Sequence, residues 1–174
     1  MNEFQDIACS HFDFLCSRHG FRRTVNSLEH VRYESDKVFF DITTEARDGI
    51  CVDFGRFGQP GAVPEQQHER LSLDTFLAAI RTHEGTFQRE TFQSAATPDF
   101  TDRTLRELAA ALSELGRGLI TADEQLYRLV RELRFWHVGD WVARWGTTIV
   151  LSSDEIRRHR QLVPNILSLI HDHA

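Results

Sequence analysis

The chain is short of cysteine, of long apolar runs and of any recognisable catalytic signature, and each shortage excludes something. There are three cysteines, none in a CxxC pair, which leaves zinc-knuckle and thioredoxin-like readings without support. Cys9 and Cys16 lie seven apart on a predicted helix. At the helical rise their Cα atoms are about 10 Å apart, beyond the roughly 7 Å a disulfide spans, so reduced thiols are expected. No stretch approaches the ~18 apolar residues of a membrane span. The start, Met-Asn-Glu-Phe-Gln-Asp, lacks the basic and apolar regions of a secretory leader, so a cytoplasmic location is expected. No GxSxG elbow and no GKS or GKT loop occur. His68-Glu69 is not the zinc motif HExxH, because position 72 is Ser. The glycines of 54–61 read as a strand exit and loop, since no helix opens there to cradle an anion. Neither a metal nor a cofactor is expected.

What is present is enough to fold. The chain has 174 residues, 41% of them hydrophobic, which suits a single domain. A chain of this size buries roughly 70% of the surface its unfolded form exposes. The net charge of −6 is uneven. Residues 1–100 carry 10 basic against 16 acidic side chains, and residues 101–174 carry 10 of each. That balance makes nucleic acid an unfavourable partner and suits a protein partner with a basic surface.

The order of elements predicts an α+β fold. Phe4, Ile7, Ala8, His11, Phe14 and Leu15 share one arc of a helix over 2–19, which Gly20 should close with Phe21 folded back. Residues 21–26, 28–34, 37–44 and 50–57 read as an antiparallel β-meander of three to four strands. Ser35-Asp36 is the predicted first turn, with Glu34 opposite Lys37, and Arg47-Asp48-Gly49 the second. Val31, Tyr33, Val38, Phe40, Ile42, Ile50, Val52 and Phe54 then line one face, and His30, Arg32, Phe39, Asp41, Thr43, Cys51 and Asp53 the other. Residues 58–70 read as a loop. Ser72 is a candidate cap for a helix to about Thr82, Thr97-Pro98 opens another that Gly116 ends, and Thr121–Glu124 and Ser152–Glu155 are capping boxes for two more. Pro164 should kink or split the last of these. Several C-terminal helices should thus pack on one sheet face.

Two constellations could carry function. On the polar sheet face, His30 is expected across from Asp41, with Asp53 diagonal and Glu45 further along. Such a group reads as a partner-binding acidic surface, and a histidine beside two carboxylates could also serve a small hydrolase as a general base. On the helix after Thr121, Arg128, Arg131 and Arg134 share an arc with Tyr127 and Phe135, the pattern of a phosphate- or nucleotide-binding face. His11 falls on an apolar arc and reads as a core histidine. Trp136, Trp141 and Trp145 read as core residues more than as an interface.

The first third also has a recognisable texture: Leu15-Cys16-Ser17-Arg18-His19-Gly20-Phe21, then Val31-Arg32-Tyr33-Glu34-Ser35, Val38-Phe39-Phe40-Asp41 and Glu45-Ala46-Arg47-Asp48-Gly49-Ile50-Cys51-Val52. Over residues 4–57 it resembles small uncharacterised bacterial proteins, some classed as immunity proteins of polymorphic toxin systems. The resemblance implies an inhibitor that covers a toxin's active site and has no catalysis of its own. The leading expectation is therefore a non-catalytic cytosolic binding protein, with the hydrolase and the nucleotide module as alternatives.

Overall fold

The computed structural model describes residues 3–45, 49–57, 71–73, 76–77, 97–132 and 153–172. The amphipathic start forms two short helices, α1 (Glu3–Phe12) and α2 (Phe14–His19), joined at Asp13, whose backbone stays helical. Gly20 closes α2 at φ +72°, a conformation that costs glycine little, and the Phe21 amide turns back to the Leu15 carbonyl. Phe21 is thereby buried against Phe40, ring centroids 5.8 Å apart.

The meander follows as β1 (Arg22–Asn26), β2 (His30–Glu34), β3 (Val38–Glu45) and β4 (Gly49–Arg56). A two-residue strand, β5 (Leu71–Ser72), adds a fifth to the three or four expected. The sheet is antiparallel throughout, in the order β1-β2-β3-β4-β5. Ser72, a candidate helix cap by sequence, lies in that strand, and Leu73, Phe76 and Leu77 beyond it are helical and buried.

Both hairpins differ from expectation by one residue pair. Glu34 faces Phe39, not Lys37, because Ser35 stays in the ladder, its amide on the Val38 carbonyl at 2.9 Å and its hydroxyl accepting from Lys37 and Val38. Asp36 and Lys37 are then the turn. At the second hairpin Glu45 pairs with Gly49, which keeps the left-handed conformation (φ +72°) expected of it. A shift of one full pair preserves side-chain parity. The predicted apolar face is accordingly the one that joins the core, from Val31 and Tyr33 through Phe40 and Ile42 to Val52 and Phe54.

The helices pack on that face, completing the α+β architecture. They are α3 (Pro98–Leu115), α4 (Arg117–Ile120), α5 (Glu124–Glu132) and α6 (Ser153–Asp172). Thr97 caps α3, its hydroxyl accepting from the Phe100 amide at 3.3 Å, and Leu105, Leu108, Ala109 and Leu112 bury the stripe. At α5 the cap is Asp123 and not Thr121. Asp123 accepts from the Leu126 amide at 2.7 Å, while Thr121 donates to the Arg117 carbonyl at 3.0 Å and so belongs to the end of α4. Asp123→Ala is therefore expected to cost about 1 kcal/mol, within the 0.5–2 range for lost caps. Thr121→Ala should cost clearly less, and urea unfolding of the two variants separates them. Helix α6 is not split at Pro164 and buries Leu162, Val163, Ile166 and Ile170. No helix among the described residues is long and apolar enough to cross a membrane. The predicted loop at 58–70, the rest of the helix after Ser72, and Trp136, Trp141 and Trp145 lie outside the described residues.

Candidate functional site

The polar residues of the sheet gather on the face opposite the one that packs against the described helices. Register places Arg32, Asp41, Asp53 and Ser72 in one row across β2 to β5, each opposite the next. Beside it runs a second row, His30, Thr43 and Cys51. His30 is thus opposite Thr43 and diagonal to Asp41, where the sequence predicts it opposite Asp41. It still reaches the carboxylate, with Nε2 2.6 Å from Asp41 Oδ1. Asp53, expected diagonal to Asp41, is directly opposite it.

The largest correction concerns Asp41. Expected to face water, it is 0% exposed. Phe39 on the same face is also buried, as is Gly55, so the centre of the sheet is shielded on both sides. A carboxylate without solvent needs compensating partners. Asp41 has His30 on Oδ1 and the Arg32 guanidinium 3.6 Å from Oδ2. Arg32 is held in turn: its Nε lies 2.7 Å from Glu34 Oε1, and its guanidinium carbon sits 4.2 Å above the Phe39 ring. The Nε–H is buried and not aimed well enough at Glu34 for a hydrogen bond, so charge proximity and ring stacking fix the side chain more than directed bonding does. His30, Glu34 and Asp53 remain half-buried at the rim. Glu45 ends β3, its backbone paired with Gly49.

The chemistry of this face follows from the hydrogen bond. Asp41 as a carboxylate only accepts, so the Nε2 that meets it carries the proton in neutral His30. Nδ1 then holds a lone pair. This is the relation of a histidine to its orienting carboxylate, and it fixes the ring for whatever meets its other edge. Among the described residues no group of three or more His, Cys, Asp or Glu is placed to hold a metal ion.

The arginine face departs from the sequence reading at Tyr127. Arg128 and Arg131 are exposed on α5, but Tyr127 is buried, its ring 5.9 Å from that of Phe54 and its hydroxyl donating to the Leu119 carbonyl at 3.2 Å. The tyrosine therefore belongs to the core and offers no stacking platform. Arg134 and Phe135 lie outside the described residues. His11 is half-buried and bonded to a side chain of α3, with Nε2 2.8 Å from Asp102 Oδ1. That bond, and a second from Arg106, hold the Asp102 carboxyl below its usual range.

Arg32 and Ser72 are the members of the polar face that sequence reasoning undervalued. Arg32 reads as a solvated charge until the register puts it opposite Asp41, and Phe39 is its signal: an aromatic among polar alternating positions, available for a guanidinium to cover. Ser72 enters only through a two-residue strand, too short to carry an alternation pattern. A cluster of Cys9, Asp13, Arg23 and Tyr33 on the helix side was likewise invisible. Arg23 donates to Cys9 Sγ, and Tyr33 donates to Asp13 at 2.7 Å. Burial first, and that hydrogen bond second, push the Tyr33 phenol up, so it stays a donor under all ordinary conditions. Comparison with protein-family models, with curated proteins and with solved structures finds no match to this chain.

Proposed function

We propose that the chain is a non-catalytic binding protein that captures a partner with a basic surface, in the manner of an immunity-type inhibitor. The polar sheet face would be the contact, with His30, Asp53 and Glu45 meeting the partner and Asp41 holding His30 from beneath. The observation that supports this reading most is that hold. Asp41 is fully buried and engages both His30 and Arg32, so His30 is held in place and loses little side-chain freedom on binding. One guanidinium, Arg32, sits among three carboxylates, Glu34, Asp41 and Asp53, in keeping with the acidic first half. Charge of one sign at a contact raises the association rate with a basic partner and makes it salt-dependent.

Affinity capture from the native cell, with mass spectrometry of what co-purifies, tests the reading. A protein of basic surface should be retained by the wild type, and the Asp53→Lys variant should lose it by an order of magnitude or more in association rate at low salt. Equal capture by the two would remove this face from the function. Reversal at Asp41 is not the right test, since a lysine there would be buried against Arg32 and would report on folding.

A further inference from the structure

We draw no further inference here: the strongest candidate, the side-chain cluster of Cys9, Asp13, Cys16, Arg23 and Tyr33 where α1 and α2 meet β1, is held together by its own hydrogen bonds, from Arg23 to Cys9 and from Tyr33 to Asp13, and no observation beyond those bonds points to a ligand.

Discussion

Asp41→Ala is expected to destabilise the fold by about 3–5 kcal/mol, the range found when one member of a buried ion pair is removed and the other is left behind. The pair here is a triad. Asp41 is fully buried, His30 meets it at 2.6 Å and Arg32 at 3.6 Å. One term opposes this. Asp53 is directly across the strand pair, a like charge whose Cβ is about 4.5–5.5 Å away in such a pairing. The attraction wins because it acts at shorter range and through a hydrogen bond, while Asp53 is only half-buried and better screened. Asp53→Ala should therefore change stability by less than ~1 kcal/mol. Urea midpoints with unchanged slopes decide the matter: if the two alanine variants unfold together, Asp41 is not the buried keystone of the face. Asp41→Asn should fall between, since it keeps the volume and an acceptor for His30 but leaves Arg32 with Glu34 as its one opposite charge of the two.

The second large effect lies on the other face of the same strand pair. Phe54→Ala is expected to cost about 3–5 kcal/mol, the usual loss for a buried phenylalanine, combining transfer and cavity terms. Phe54 has no exposure and meets three rings: Tyr127 at 5.9 Å, Phe76 at 6.1 Å and Phe40 at 6.2 Å between centroids. It is thus the point where the sheet, the segment after β5 and α5 come together. Removing it should also speed amide exchange in α5 more than in α3, because the Tyr127 ring of α5 packs directly on Phe54. Phe54→Leu should recover more than half of the loss. An alanine variant within 1 kcal/mol of the wild type would show that the cluster relaxes around the gap.

Much of the fold was legible because it rests on local rules. Alternation between Val31 and Phe54 assigned the core face correctly although both hairpin registers were off by a pair, since a full-pair shift leaves every side chain on its own side. Gly20 and Gly49 marked their left-handed positions, and Thr97-Pro98 marked its helix start. The misplaced cap at α5 has an equally local cause. Thr121 and Asp123 are both good caps by type, and α4, a four-residue helix with no periodic signature, claimed the threonine first.

The site was legible only as a membership list. His30, Asp41 and Asp53 share a face by parity alone, and parity is a property of the chain. Whether that face meets water is not, because shielding of a strand's second side comes from residues far away in sequence. So the sequence by itself determined which side chains stand together on each side of the sheet, and which residues turn, cap and fill the core. Tertiary structure alone decided that Asp41 is enclosed, that Arg32 lies down on Phe39 and turns inward, and that His30, held by Asp41, stays part-exposed at the rim. The physical reason is one of range. Backbone geometry propagates alternation along a strand, whereas burial, and with it the strength of every charge on the face, is set by whatever the rest of the chain lays over it.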